Sequence, residues 1–455
     1  MESGGAVKEV PLVRVEPPGP KALQVLEEDR EFLMQSFVRW YPLVVEKAKG
    51  SLVWDVDGNV YIDLNSALAV ANVGHTHPRV VDAIKKQAEK FLHFSLTDFY
   101  YKEAVDAARD LVGISPFDSA KVFFANSGAE SIEGSLKVAR GFFQGKRTYI
   151  IGFLGAFHGR TMGALSITSS KPVQRRWFSP LVPNIIHVPY PYPYRCPFKS
   201  ETPEECGEAV LGYIEEWILG KIVDPSEVAA FIFEPIQGEG GYIVPPDNFF
   251  RGLRKLADKH GILLIDDEVQ AGMGRTGRWF AIEHWGITPD IIAVAKGIAG
   301  GLPLGAIIGS SDVMTLPGGS HASTFGGNPV SLAAMREVIN IIKEERLLER
   351  ASRLGEEVIK FFNDMYEETE IIGDVRGKGF MIGVELVKDR KTKEPAKKEL
   401  ATLINRCFKR GVLVIGAGLS VLRIAPPLSI PEEHLWRALE IVGDEIRRLD
   451  KEVRA

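Results

Sequence analysis

The sequence predicts an α/β protein with a large domain, built on a mostly parallel sheet flanked by helices, and a smaller α+β domain. From about residue 116 to 310, short runs rich in β-branched residues alternate with helix-like stretches, which is typical of a parallel sheet with crossover helices. Several of these runs are apolar on both faces, as expected for strands covered on each side. The length of 455 residues allows two or three domains of about 100–200 residues each.

The strands and the first helix of this block can be assigned in order. The predicted strands are KVFFANSG, TYIIGF, NIIHVPY, VAAFIFEPI, GILLIDDE, DIIAVAKG and GAIIGS. After the first of them, Ser127-Gly128 is a helix-start signal, and Ile132, Leu136 and Phe143 follow at helical spacing. The sequence therefore predicts a helix directly after the first strand.

Different patterns flank the block on both sides. On the N-terminal side, Asp57-Gly58 joins two alternating runs in SLVWDVDGNVYIDL, which predicts a β-hairpin. On the C-terminal side, long helical stretches precede FMIGVELV, VLVIGAG and SVLRIAP, and a helix closes the chain. We therefore expect an N-terminal extension with a small-domain segment (1–75), a large domain (76–330) and a C-terminal small α+β domain (331–455).

The composition narrows the classes of function. The net charge is −5, so the chain lacks a global basic field for nucleic acid or anionic lipid. The Pro-rich first twenty residues carry acids and do not resemble a signal peptide, and no apolar run approaches the ~20 residues of a membrane span. Cys196, Cys206 and Cys407 form neither a CxxC pair nor a zinc spacing. We expect a cytoplasmic protein with small-molecule or protein partners. The low content of glutamine and cysteine favours a heat-adapted protein.

Some motifs do not predict the functions that their spelling suggests. Gly272–Gly277 reads G-x-G-x-x-G, but it lies several residues beyond the strand ILLIDD, and position 297, where a Rossmann site needs an acid, is glycine. The sequence contains no P-loop and no G-x-S-x-G motif. His75 and His77 in GHTHP have no obvious third ligand, so we expect them to serve hydrogen bonds of their own loop and expect no metal site.

Three features at the ends of predicted strands point to chemistry. Residues 126–130 (NSGAE) follow a strand and open a helix, where free backbone N–H groups could hold a phosphate. Residues 266–268 (DDE) end a second strand at the edge of the sheet where α/β proteins bind ligands. Lys296 closes a third strand, and apolar neighbours there could lower the pKa of its amine.

Each of these features alone has an ordinary explanation: a helix cap, solvated acids, or a lysine that reaches solvent. Together they fit one cofactor, pyridoxal phosphate. This cofactor needs a phosphate cradle, a carboxylate that keeps its ring nitrogen protonated, and a lysine for the Schiff base. We therefore expect all three groups to meet at one edge of the sheet.

At this point the sequence resembles the class III, or ω-amino-acid, aminotransferases of fold type I, the family of 4-aminobutyrate, ornithine and acetylornithine aminotransferases. The resemblance runs from about residue 40 to 445. It rests on motifs in the family's order: DVDGNVYIDL, NVGHTHP, NSGAES, AFHGRT, FEPIQGEGG, DDEVQAGMGRTG, AKGIAGGLPLGA, STFGGNP and LRIAPPL. The G-x-G-x-x-G spelling falls within one of these family segments.

The resemblance implies roles around the cofactor ring. Lys296 matches the lysine that carries the cofactor, and Asp267 matches the acid that faces the ring nitrogen. Val269 and Phe157 would pack on opposite faces of the ring, with Gln270 near its phenolic oxygen.

The resemblance also implies a phosphate site and a dimer. Gly128 and Ala129 would donate backbone N–H groups to the phosphate, and His158 and Glu234 belong to the implied cofactor site, Glu234 as an acid near Gln270. Thr324 would reach the phosphate held by the neighbouring subunit. The family relation therefore implies at least a homodimer with shared active sites.

Three further matches concern the substrate. Arg423 matches the arginine that binds the α-carboxylate of 2-oxoglutarate or glutamate, a planar group suited to a guanidinium fork. Glu239 matches a switch glutamate that covers this arginine when an ω-amino donor binds. Arg160 matches an arginine that can meet the far carboxylate of the substrate, with a structural ion pair as the alternative.

The choice of amino donor rests on two loops. Leu68 stands where ornithine enzymes of the family commonly have a tyrosine, which favours 4-aminobutyrate. Asp98 falls in the family's partner-subunit loop, where it would pair with the α-ammonium that ornithine and lysine carry and 4-aminobutyrate lacks. Alternatively, Thr97 or Asp98 caps the helix that follows. We favour ornithine, with lysine as a second candidate donor, and keep 4-aminobutyrate and acetylornithine as alternatives.

The predicted reaction is a ping-pong transfer in which an ω-amino donor gives a semialdehyde and 2-oxoglutarate leaves as glutamate. The nearest rival is an amino-acid racemase, because some members of the family racemise with the same lysine. A regulatory or structural protein that kept the fold is a rival from another class, against which the presence of Lys296, Asp267 and Arg423 argues.

Overall fold

A computed structural model describes residues 9–454 of the chain. The strands are β1 (Val45–Lys49), β2 (Leu52–Asp55), β3 (Val60–Asp63), β4 (Ala120–Ala125), β5 (Tyr149–Phe153), β6 (Ile185–Val188), β7 (Val228–Phe233), β8 (Leu263–Asp267), β9 (Ile291–Val294), β10 (Gly305–Ser310), β11 (Ile372–Lys378), β12 (Met381–Leu386), β13 (Val412–Leu413), β14 (Ile415–Ala417) and β15 (Val421–Ile424). The helices are α1 (Pro20–Phe32), α2 (Pro78–Ala88), α3 (Lys102–Val112), α4 (Gly128–Phe142), α5 (Met162–Ile167), α6 (Pro203–Tyr213), α7 (Phe249–His260), α8 (Pro329–Glu344), α9 (Leu347–Glu368), α10 (Lys397–Lys409) and α11 (Glu432–Arg454). The first eight residues of the Pro-rich segment lie outside the described residues.

The central sheet has seven strands in the order β4-β10-β9-β8-β7-β5-β6. Strands β5 to β9 are parallel, whereas β10 runs antiparallel to both of its neighbours. Alternate residues of β7 enter two separate apolar clusters, with Ala230 and Ile232 on the side of Ile132 from α4, and Phe231 and Phe233 on the other side. The sheet is therefore covered on both faces, and the predicted strands and mostly parallel architecture are confirmed.

The predicted hairpin forms, but its sheet is completed by the end of the chain. Strands β2 and β3 pair antiparallel around the Asp57-Gly58 turn. On its other side, β3 pairs in parallel with β13, which places Ile62 opposite Val412. The four-stranded sheet β1-β2-β3-β13 thus joins segments from both ends of the described chain.

The C-terminal segment contains a third sheet, in the order β11-β12-β15-β14. Its strands β12, β14 and β15 coincide with predicted runs, but β11 was not predicted. The sequence of β11, IGDVRGK, mixes glycine and charged residues, so it lacks the apolar alternation that identifies a strand. Arg423 lies on the inner strand β15, opposite Gly383 of β12.

A left-handed turn of four non-glycine residues connects β3 to α2. Residues 66–69 (SALA) all have positive φ, between 49° and 70°, a region that side chains normally avoid. The carboxylate of Asp63 stabilises the turn by accepting the N–H groups of Asn65, Ser66 and Ala67 at 2.8–3.3 Å. Arg275, from the G-x-G-x-x-G segment, contacts the Ser66 hydroxyl. The glycine motif is thus part of the support of this turn.

The loop histidines and the helix after Asp98 can be compared directly with their predictions. His75 forms a 2.8 Å contact with Asp63, and His77 accepts the backbone N–H of Arg79 at the start of α2, as predicted for residues that serve their own loop. The cap predicted as an alternative at Thr97 or Asp98 is wrong, because α3 begins at Lys102 and Tyr101 occupies the N-cap position.

Cys196 and Cys206 form a disulfide, and Cys407 is a buried free thiol. The sequence did not predict this pairing, since its few cysteines suggested a reducing compartment. Disulfides are typical of oxidising compartments and also occur in intracellular proteins of hyperthermophiles. Among the helices within residues 9–454, none has the combination of length and apolar character needed to cross a membrane.

Removing the disulfide should lower the stability of the protein. The bond links residues ten positions apart, and loss of this loop closure costs about 2–3 kcal/mol by the chain-entropy relation. We expect the double variant Cys196→Ser/Cys206→Ser to unfold at a lower guanidinium concentration than the wild type, and reductant to move the wild type to the same midpoint. Identical midpoints for the oxidised wild type and the double variant would contradict this expectation.

Candidate active site

A cavity of about 430 Å³ opens at the carboxyl ends of the central strands. This volume lies within the range of about 300–1,000 Å³ typical of small-molecule sites. Predicted site residues that line it are Gly128, Ala129, Phe157, His158, Arg160, Glu234, Asp267, Val269, Gln270 and Lys296. The structure therefore brings together the three strand-end features that the sequence singled out.

The N-terminus of α4 forms one wall of the cavity. Ser127 caps the helix, since its side chain accepts the N–H of Glu130 and its carbonyl accepts the N–H of Ser131. Within residues 9–454, the N–H groups of Gly128 and Ala129 have no hydrogen-bond acceptor. These two donors at a helix N-terminus could hold a phosphate group.

Of the three acids at the end of β8, Asp267 is the one that lines the cavity. Its carboxylate contacts Nδ1 of the buried His158 at 2.7 Å and accepts the N–H of Val269 at 3.0 Å. Asp266 and Glu268 are instead buried away from the cavity. Burial raises the pKa of both of these carboxyl groups, that of Glu268 to about 8. The expectation that all three carboxylates emerge at the sheet edge is therefore wrong, because strand alternation sends neighbouring side chains to opposite faces.

Lys296 follows β9 by two residues and lies in a strained conformation. Its φ is 48°, in the left-handed region. Burial and the positive charge of Arg423 lower the pKa of its amine, against the opposing effect of Glu234, Glu239 and Asp267. A lowered pKa keeps more of the amine neutral, which suits a group that must act as a nucleophile or accept a proton.

Glu234 is a buried acid between the cavity and the loop after β7. Its carboxylate accepts the N–H groups of Phe157 and Gly238 at 2.9 and 2.8 Å. Burial and the nearby charge of Asp267 raise the pKa of Glu234 to about 7. Glu234 therefore fixes the backbone at Phe157 and Gly238.

An ion pair between Glu239 and Arg423 lies beside the cavity, close enough for both charges to act on Lys296. The guanidinium of Arg423 also lies over the ring of Tyr242, 5.5 Å from its centroid. The second carboxylate oxygen of Glu239 is 3.3 Å from Nζ of Lys171. Burial raises the pKa of Glu239, but the charges of Arg423 and Lys171 outweigh it and lower the pKa to about 2. The Glu239 carboxylate is therefore ionised at neutral pH.

The backbone of the loop that carries Glu239 is fixed by Arg376 of β11. The guanidinium of Arg376 donates to the carbonyl of Gly241 at 2.6 Å and to that of Tyr242 at 3.1 Å. It is itself paired with Glu385 at 2.9 Å. The carbonyl of Glu239 accepts the N–H of Gly418 at 2.9 Å. These bonds fix the backbone of the loop at Glu239, Gly241 and Tyr242.

Four other predicted substrate or partner residues lie outside this ion pair. Arg160 is exposed at the mouth of the cavity, 5.4 Å from the ring centroid of Phe157, and has no carboxylate partner within residues 9–454. Leu68 is half-exposed on the left-handed turn. Thr324 and Asp98 are exposed and do not line the cavity of their own chain.

Asp98 and Thr324 nevertheless belong to one surface. The hydroxyl of Thr97 donates to the carbonyl of Ser323 at 3.1 Å. The ring of Phe325 lies 5.1 Å from that of His93. The two loops expected to serve a neighbouring subunit are therefore in direct contact with each other.

Sequence reasoning missed several residues of the site. Val70 and the 301–304 segment line the cavity, and Lys171 and Tyr242 contact the Glu239–Arg423 pair. The 301–304 segment comes shortly after β9 and Lys296, so its place at the sheet edge could have been inferred. Lys171 and Tyr242 carry no such signal, because loops from different parts of the chain bring them together.

Comparison with known proteins agrees with this geometry. Residues 34–446 match the family model "Aminotransferase class-III". Curated relatives include a leucine/methionine racemase of Thermococcus litoralis (44% identical, covering 90% of this chain and 92% of the relative) and an acetylornithine aminotransferase of Methanopyrus kandleri (42%, 92% and 97%). A PLP-bound amine transaminase structure from an uncultivated Pseudomonas species is 28% identical with a TM-score of 0.86, covering 92% of this chain and 98% of that one. The chain is thus a fold type I enzyme, and it belongs to the class III aminotransferase family.

The cofactor of this family is pyridoxal phosphate, and the cavity fits it. The two free amides of α4 could hold its phosphate, Asp267 could face its ring nitrogen, and Lys296 could carry it. Oε1 of Gln270 and Nε2 of His158 are buried without a hydrogen-bond partner in residues 9–454. Such orphaned polar atoms around a cavity indicate that a polar ligand normally supplies their partners.

Adding a methyl group at Gly128 should weaken cofactor binding. A Cβ at this position would lie 2.8 Å from Cγ1 of Val269, so Val269 must shift within the cavity. We expect Gly128→Ala to bind pyridoxal phosphate about tenfold more weakly, or ~1.4 kcal/mol, in a titration of the cofactor-free protein. The control is Gly212→Ala, where a Cβ meets nothing within 4 Å. Equal affinities for both variants would count against this description of the cavity.

Proposed function

We propose that this chain is an ω-aminotransferase that moves the terminal amino group of ornithine, with lysine as a second donor, to 2-oxoglutarate. The products are a semialdehyde and glutamate. The observation that carries the proposal is the ion pair of Glu239 and Arg423 beside Lys296. The family relation and its cofactor are its foundation.

The ion pair suits an enzyme that must accept two differently charged substrates in one site. An α-keto acid brings a carboxylate next to its reacting carbon, and Arg423 offers a guanidinium fork for it. The terminal amine of an ω-amino donor brings no carboxylate to this place, so a bare Arg423 would stay buried and unpaired, which is costly. Glu239 removes that cost, since it neutralises Arg423 until a carboxylate replaces it.

The other residues of the cavity have complementary roles in this proposal. When bound, pyridoxal phosphate supplies an electron-withdrawing ring that makes the amine-bearing carbon of the substrate acidic. The amides of Gly128 and Ala129 would bind its phosphate, and Asp267, which contacts His158, would keep a proton on its ring nitrogen. Nζ of Lys296 would take up the proton from the substrate carbon, and its lowered pKa keeps this amine unprotonated and therefore available as a base.

A homodimer with shared active sites supports the choice of ornithine. Asp98 and Thr324 lie on one exposed surface, next to the exposed rings of Phe94, Phe99 and Tyr100. Contiguous exposed aromatic side chains are typical of an interface. In a dimer, Asp98 of each chain would serve the site of its partner and pair with the α-ammonium of ornithine or lysine.

A donor panel tests the substrate. We expect glutamate formation from 2-oxoglutarate with ornithine to exceed that with 4-aminobutyrate or acetylornithine. Asp98→Asn should lower kcat/KM for ornithine about 10–100-fold, because it removes one partner of a charge pair, and should leave 4-aminobutyrate unaffected. Asp82→Asn, on exposed α2, is the control. An unchanged kcat/KM for ornithine in Asp98→Asn would refute the role of Asp98 and with it the case for ornithine.

The second candidate is an amino-acid racemase, which the similarity to the leucine/methionine racemase favours. A racemase binds one substrate class and needs no keto acid, so a neutralised Arg423 gives it no advantage. We expect no D-enantiomer when the holoenzyme is incubated with L-ornithine, L-leucine or L-methionine without 2-oxoglutarate. Chiral chromatography provides the measurement, and rapid appearance of a D-amino acid would favour the racemase instead.

A further inference from the structure

Lys171 is a second cation in contact with Glu239. One oxygen of the Glu239 carboxylate pairs with Arg423, and the other lies 3.3 Å from Nζ of Lys171. The exposed fraction of the side chains rises along this row, from 2% for Arg423 to 19% for Glu239 and 39% for Lys171. Glu239 thus lies between a buried cation and one near solvent.

We infer that Lys171 is the positioning residue that receives the Glu239 carboxylate when the α-carboxylate of a substrate displaces it from Arg423. The inference rests on the proposed function, because only an enzyme that alternates between two substrates must open this ion pair. It assigns a role in the keto-acid half of the reaction to a residue outside the cavity.

Charge burial makes a second partner necessary. A half-buried carboxylate that loses its guanidinium partner and gains a neighbouring substrate carboxylate would be unpaired and repelled. Lys171 is already within reach, so Glu239 can leave Arg423 without becoming an isolated charge. The backbone of the loop is held by Arg376 and by the N–H of Gly418, so the movement is confined to rotations of the Glu239 side chain.

The other cations near Lys171 are occupied elsewhere. Lys171, Arg175 and Arg176 line one shallow cavity with His187. Nη1 of Arg175 donates to the carbonyls of Ser166 and Thr168, and the guanidinium of Arg176 lies 3.8 Å from the ring centroid of Trp177. Within residues 9–454, Lys171 is the member of this group that contacts Glu239.

The test measures the two half-reactions separately in single turnovers of the holoenzyme. Ornithine reports the half-reaction in which the Glu239–Arg423 ion pair stays closed. 2-Oxoglutarate, added to the aminated holoenzyme, reports the half-reaction in which this ion pair must open. We expect Lys171→Met to raise the half-saturating concentration of 2-oxoglutarate about tenfold more than it raises that of ornithine. Lys171→Arg keeps the charge and should restore most of this difference.

Two controls separate the proposed role of Lys171 from a general loss of positive charge or of structure. Arg176→Met removes a charge from the same cavity without touching Glu239 and should leave the ratio of the half-reactions unchanged. In a Glu239→Gln background, Lys171→Met should have no further effect on the ratio, because no charge remains to be received. An equal effect of Lys171→Met on both half-reactions, no effect on either, or an equal effect of Arg176→Met would overturn the inference.

Failure of the proposed function would look different. A wild-type holoenzyme that forms no glutamate from 2-oxoglutarate refutes the proposed function, and the role of Lys171 falls with it. The role of Lys171 alone is refuted if the wild-type enzyme forms glutamate and Lys171→Met leaves the ratio of the two half-reactions as it is in the wild type.

Discussion

Parallel pairing of three neighbouring strands is the constraint on which the site depends. In this register Phe233 of β7 lies opposite Asp266 of β8, and Asp267 lies opposite Ala293 of β9. Adjacent strands are about 4.8 Å apart, so residues just beyond the strand ends lie side by side without any loop having to fold over them. Glu234, Asp267 and Lys296 reach a common edge for this reason.

The charged groups at this edge of the sheet affect one another's pKa values. Asp267, Glu234 and Glu239 surround the amine of Lys296, and Arg423 opposes them. The three carboxyl groups differ in their surroundings: Glu239 lies between two cations, Asp267 faces an imidazole, and Glu234 accepts only backbone N–H groups. Burial therefore affects the pKa of Glu234 most visibly, while the pKa of Glu239 falls. One short stretch of sheet edge thus holds acids of quite different strength.

The sequence predicted those parts of the fold that depend on local patterns. The seven strands of the central sheet, the hairpin at Asp57-Gly58 and the helix after Ser127 each follow from periodicity or turn chemistry within a few residues. The pairing of β3 with β13 could not be predicted in this way, since the short run Val412–Leu413 does not indicate its partner. Nor could the Cys196–Cys206 bond, because spacing alone does not give the direction of side chains.

The same division applies to the site. The cofactor wall is made of strand ends, so residue type and position along the strand were enough to anticipate Asp267 and Lys296. The ion pair at Arg423 was inferred from family resemblance, but its surroundings depend on contacts between distant loops. Lys171 and Glu239 are 68 positions apart, and Arg376 reaches the Gly241 carbonyl across 135 positions. Periodicity carries no information over such separations.

The pairing of β3 with β13 also determines when the first sheet can be completed during synthesis. Ile62 and Val412 are partners in this sheet, so the ribosome adds 350 residues (412 − 62) after Ile62 before Val412 is in place. At a synthesis rate of about 5–20 residues per second, β13 follows β3 after about 20–70 s. During that interval Val60 can already pair with Leu12, but the edge at Ile62 stays unpaired and is of the kind that invites aggregation. A chaperone would have most to protect in this window.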